Sequence, residues 1–181
     1  MAGSSCDLLV VGLGNPGAEY AGTRHNVGAA VVELLADRHG ERLRADRLVS
    51  AGTARLRLGG HSVVLAVPTT WMNDSGRAVA ALVRRHDVEP GRIKLKVGGG
   101  HAGHNGLRSI HSHITSPDYL RVRIGIGKPP GGPQRGADWV LARVGATQRR
   151  VLDDAVARAA DAVEMVAADG IEAAMQRFHG E

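Results

Sequence analysis

Residues 7–40 read DLLVVGLGNPGAEYAGTRHNVGAAVVELLADRHG, and the order of signals within this stretch decides the fold. The apolar run from Asp7 to Val11 stops at Gly12-Leu-Gly-Asn-Pro-Gly17, the pattern of a buried strand entering a glycine-rich loop. After Asn26, a residue type favoured at helix N-caps, Val27, Ala30, Val31, Leu34 and Leu35 keep helical spacing until Gly40 supplies a stop. Strand, loop and amphipathic helix in that order are the repeating unit of a sheet covered by helices.

The same signals continue outward. Residues 53–58 (TARLRL) and 62–67 (SVVLAV), separated by Gly59-Gly60-His61, read as a hairpin whose second strand ends at Pro68. Asn73, Asp74 and Ser75 offer caps for a helix over about 76–86, closed by Pro90. Ile93 to Val97 reads as a strand, Gly98 to Gly100 as a loop, and Asn105 to His113 as a helix. Leu120, Val122, Ile124 and Ile126 alternate with Arg121, Arg123 and Gly125, which predicts a half-buried strand with a basic outer face. Residues 127–136 (GKPPGGPQRG) are too rich in Gly and Pro for regular structure. Leu152, Val156, Ala159, Val163 and Val166 make one helical stripe, Gly170 breaks it, and Ile171, Met175 and Phe178 start another. The expected fold is α/β: one domain over 1–181, with a mixed sheet flanked by helices.

Composition narrows the function classes. Lys plus Arg number 23 against 18 Asp plus Glu, a net charge of +5 that makes a polyanionic partner reasonable. Cys6 is the single cysteine, so an intramolecular disulfide and a thiolate metal cluster are both excluded. No apolar run approaches the about 18 residues that a membrane span needs, and the start carries no basic leader, so the expected setting is cytoplasmic.

Gly12-x-Gly14-x-x-Gly17 after a strand is formally a dinucleotide fingerprint, and an oxidoreductase has to be weighed. The context opposes it. Pro16 and the polar run from Tyr20 to His25 separate the glycines from the helix, whose N-terminus would have to meet the pyrophosphate. The other reading is a loop that presents Asn15, Tyr20, Arg24 and His25 at the C-terminal end of a strand, where α/β sites collect. His25 is then either a base or a helix-end residue. Two further polar loops, Thr69 to Asn73 and Gly98 to Gly106, can converge on the first. His101, His104, His111 and His113 invite a zinc reading, but the sequence has no HExxH arrangement and no cysteine to assist.

VVGLGNPGAEYAGTRHNVG at 10–28, PTTWMNDSGRAV at 68–79 and GGGHAGHNGLRSI at 98–110 together resemble bacterial peptidyl-tRNA hydrolases, and RVRIGIGKP at 121–129 extends the likeness over nearly the whole chain. The resemblance implies a monomeric esterase without metal or cofactor, acting on peptidyl-tRNA. It implies His25 as the general base that deprotonates the attacking water. It implies Asn15 as the residue that distinguishes a blocked peptide from a free aminoacyl group, and Asn73 and Asn105 as holders of substrate and water. Tyr20 and Trp71 are implied substrate contacts, Trp71 standing where the family pattern has Phe. Arg121 and Arg123, with Lys94 and Lys96, are the expected contacts to acceptor-stem phosphates.

One segment departs from the family. Between Pro90 and Gly98 the chain is too short for the buried strand that ends, in the family, in the Asp hydrogen-bonded to the catalytic His. Asp87 reads better as a polar residue at a helix end than as its replacement. The expectation is a sheet one strand short and an enzyme of reduced activity. The alternative is a catalytically silent protein that binds the tRNA acceptor stem.

Overall fold

The computed structural model describes residues 5–86, 100–114, 119–130 and 136–178. In chain order these form β1 (Leu8–Val11), a 3-10 turn (Arg24–Asn26), α1 (Val27–Arg38), β2 (Arg44–Asp46), β3 (Ala51–Leu58) and β4 (His61–Pro68). A second 3-10 turn (Met72–Asp74) leads into α2 (Ser75–Arg85), followed by α3 (Asn105–His113), α4 (Gly136–Leu141), α5 (Ala146–Asp169) and α6 (Ile171–Phe178).

The sheet of the described residues has the order β1-β4-β3-β2. β3 and β4 pair antiparallel from Ala51↔Pro68 to Leu58↔His61. Gly59 and Gly60 turn between them with φ of 53° and 85°, the two left-handed positions that a two-residue hairpin requires. β1 pairs parallel with β4, Leu8 opposite Val63 and Val11 opposite Ala66, so the sheet is mixed. β4 is covered on both faces, which is why it reads as a nearly unbroken apolar run. On one face Leu56, Leu58, Val63 and Leu65 pack with Val31, Val32 and Leu35 of α1 and Val156, Ala159 and Ala160 of α5. On the other, Ala51 and Ala66 pack with Val49 and with Leu82 of α2. Burial of the valines and leucines among them, each contributing about 1.5–3 kcal/mol, sets the frame from which the loops project.

Helix α3 lies against α2 at backbone distance. The Gly76 N–H donates to Ser109 Oγ at 2.9 Å, and a Cβ on Gly76 would stand 2.1 Å from the Ser109 carbonyl oxygen. Only glycine allows this approach.

Several expectations need correction. Residues 120–126 form no ladder with any described strand, although Ile124 does pack on the main core. Alternation makes a segment extended, but a strand also needs a neighbour's N–H and C=O groups. The strand expected at 93–97, and the shortened segment around it, lie outside the described residues. Asn26 does not cap α1 through its side chain, nor does Asp74 cap α2; Asn26 is used in the tertiary contact described below. β2 and α4 were not foreseen. No helix of the described residues is long and apolar enough to cross a membrane.

Candidate active site

The chain leaves β1 through a loop packed tightly on the first turn of α1. A Cβ on Gly12 would lie 2.3 Å from the Gly28 carbonyl oxygen, and the Leu13 carbonyl accepts from the Ala29 N–H at 3.0 Å. The first glycine of the fingerprint is therefore explained by close packing of loop on helix. Beyond it, Asn26 holds the Asn15 backbone twice: the Asn15 N–H donates to Asn26 Oδ1 at 2.9 Å, and Asn26 Nδ2 donates to the Asn15 carbonyl at 2.8 Å. Asn15 Oδ1 in turn accepts from the Met72 N–H at 2.8 Å, which fastens the first loop to the second and leaves the amide nitrogen as the donor.

The same two loops meet again through aromatic side chains. Tyr20 and Trp71 contact edge to face, their centroids 5.7 Å apart, and Trp71 is 53% exposed. An exposed indole fixed in this way offers a surface on which a base or an apolar side chain can rest.

The third loop approaches through His104, whose ring lies 5.5 Å from that of His25. His104 caps α3, its Nδ1 accepting from the Leu107 N–H at 3.3 Å, so in the neutral ring the proton sits on Nε2. Burial, and then the neighbouring His104, push the His25 pKa below its ordinary value of 6.5; burial does the same to His104. His25 is thus an uncharged imidazole at neutral pH. Among the described residues no carboxylate or other group hydrogen-bonds its ring.

Asn73 and Asn105 come together as well. Both are exposed, and both line a cavity of about 250 Å³ with Arg108, Ser109, Ser112 and His113. The structure therefore joins the expected residues pairwise: Asn15 with the second loop, Tyr20 with Trp71, His25 with the residue preceding Asn105, and Asn73 with Asn105. Arg121 is half-buried beside the third loop. It donates to the Gly100 carbonyl at 3.2 Å, meets His111 Nε2 at 3.1 Å and stacks on Tyr119. Arg123 is exposed.

Among the described residues no three of His, Cys, Asp and Glu gather where they could hold a metal ion. His101 and His111 are ring neighbours, and His104 serves the helix cap. Sequence reasoning considered His104 only as a metal ligand. Its place just before Asn105, at a helix start, was the available signal for a different role.

Comparison with known proteins places the chain in a family. Residues 9–181 match the family model described as peptidyl-tRNA hydrolase. A peptidyl-tRNA hydrolase of Nocardia farcinica is 48% identical over 190 residues, spanning 97% of this chain and 98% of its own. Another from Frankia casuarinae is 50% identical over 185 residues, spanning 94% and 93%. The crystal structure of peptidyl-tRNA hydrolase from Acinetobacter baumannii superposes with a TM-score of 0.81 at 39% identity, over 98% of this chain and 95% of that one. With the fold and nearly the full length in agreement, the chain belongs to the peptidyl-tRNA hydrolase family.

Proposed function

We infer that this chain hydrolyses the ester that joins a peptide to the terminal ribose of tRNA, with His25 as general base. The observation that carries this reading is a half-buried, neutral imidazole set where three polar loops converge. His25 takes a proton from water as the oxygen attacks the ester carbonyl. The imidazolium then returns that proton to the departing ribose oxygen, and peptide acid and free tRNA are released. The oxyanion formed on the way needs uncharged donors, which the carboxamides of Asn73 and Asn105 can provide beside their shared cavity. Asn15, with its oxygen held by Met72, keeps an amide N–H for the carbonyl of a blocked amino group; a free ammonium cannot accept that bond. Tyr20 and Trp71 hold the substrate by stacking. Arg121 and Arg123 contact phosphates of the acceptor stem, positioning the tRNA without reading its bases. The protein acts as a cytoplasmic monomer.

An ester needs no covalent nucleophile, and a positioned base with fixed donors suffices. An aspartate that orients the base raises turnover strongly in serine proteases, and since no carboxylate among the described residues bonds the His25 ring, we propose a reduced rate.

The test is single-turnover release from N-acetyl-aminoacyl-tRNA, with unblocked aminoacyl-tRNA as comparison. The expected result is release from the blocked substrate at a clearly higher rate. Folded protein that binds tRNA in a salt-sensitive way yet releases nothing at high enzyme concentration would select the silent acceptor-stem binder.

The lowered His25 pKa has a definite sign. The base is competent when neutral, so kcat/KM rises with pH and its acid limb has a midpoint below 6.5. Because His104 contributes to the lowering, His104→Asn, which keeps a capping side chain, moves that midpoint up. A wild-type midpoint at or above 6.5 would remove His25 from the role.

A further inference from the structure

Arg24, the residue before His25, is a cation 4% exposed, and among the described residues it has no carboxylate partner. Its guanidinium carbon lies 3.5 Å from the centre of the Trp139 ring. Nη1 donates to the Trp139 carbonyl at 3.4 Å, and Nη2 donates to Gln148 Oε1. An indole face and two amide oxygens thus take the place of a counter-ion. Burying a charge costs free energy, which a counter-ion would ordinarily offset and two neutral oxygens offset less. Packing alone therefore does not call for arginine here.

Nor does the contact secure a large core for its partner. α4, which carries Trp139, buries none of its residues, and the 3-10 turn of Arg24–Asn26 is its main neighbour. Further ties follow the same line: Thr23 bridges Arg143, and Arg149 donates to the Gly22 carbonyl. On the other side of His25, Asn26 grips the Asn15 backbone. The histidine is thus flanked by two buried polar side chains that anchor its main chain to different parts of the fold. Its own ring has no such anchor among the described residues.

From this we infer that Arg24 is a positioning residue for the hydrolytic base. Its stack on Trp139 and its bond to Gln148 fix the turn, so the His25 ring is placed through the backbone, with no carboxylate among the described residues bonded to it. The planar guanidinium is required because one group must stack and donate in two directions at once, which a lysine ammonium cannot do. The inference rests on the reading of His25 as the base.

The test uses the full chain with N-acetyl-aminoacyl-tRNA. Arg24→Met folds, with the circular dichroism of wild type and a modestly lower melting temperature, yet kcat falls about 10²-fold, the scale of a misplaced catalytic group. KM changes less than about 3-fold, because Arg24 does not touch substrate. Arg24→Lys does not restore kcat. The acid limb of the pH profile stays in place, since burial and His104 set the His25 pKa. In the His25→Ala background, Arg24→Met causes no further loss, as expected for residues acting as one unit. If Arg24→Met does not fold, Trp139→Ala removes the stack from the other side and gives the same fall in kcat.

Unchanged kcat in folded Arg24→Met, full rescue by lysine, or losses that multiply with His25→Ala would overturn the inference while leaving His25 as base. A His25→Ala protein that cleaves as fast as wild type would overturn both.

Discussion

His25→Ala slows single-turnover release from N-acetyl-aminoacyl-tRNA by about 10²–10⁴-fold, the usual contribution of a general base. The fold survives this change. The ring is half-buried and takes no hydrogen bond from the described residues, while the turn keeps its anchors in Arg24 and Asn26. tRNA affinity should therefore stay close to wild type, and the loss should appear in kcat. Circular dichroism and a salt-dependent binding curve on the same preparation separate lost chemistry from lost structure. Release unchanged within about 3-fold would leave the neutral imidazole without a catalytic role.

Gly12→Ala has the largest expected effect on stability. The new Cβ would stand 2.3 Å from the Gly28 carbonyl oxygen and 2.8 Å from Val32 Cγ2, so the end of β1 must part from α1. Overpacking of this kind, against backbone that cannot turn aside, costs about 3 kcal/mol or more and lowers the melting temperature by about 6–12 °C. Gly125→Ala is the control: nothing lies within 4 Å of its missing Cβ, and a change within about 0.5 kcal/mol is expected. Equal melting temperatures for the two variants would mean that the loop can lift from the helix at little cost. The fingerprint glycines would then need another explanation.

How much was legible depended on where each signal resides. The hairpin was read from local chemistry, since the alternation of β3 and the paired glycines are both local. The bounds of α3 were recovered because its polar start and apolar stripe coincide. β2 was missed: Arg44–Asp46 is short and polar at the sheet edge, and lacks an apolar rhythm. α4 was missed for a related reason, because a six-residue helix with no fully buried residue is too short to show an amphipathic pattern. Asn26 was misassigned because a good capping residue is equally good at holding a distant loop, and sequence cannot tell which bond it makes.

The site followed the same rule. Asn15, Tyr20, Arg24 and His25 stood out because polar residues gather in the loop after a strand, whereas Trp71 was pointed to by the family resemblance. Their pairing was invisible. Arg24 reaches Trp139 across 115 positions of chain, a contact that no local pattern encodes.

The parallel pairing of β1 with β4 also bears on the order of events during synthesis. The His25 turn is made early, yet the strand against which β1 aligns runs to Pro68. A nascent chain that has exposed only its first forty or so residues holds the histidine but has no frame to place it, because loop closure onto β4 must come first. The loop that carries His25 therefore takes its place only once more than a third of the chain has been made, when β4 is available to align β1.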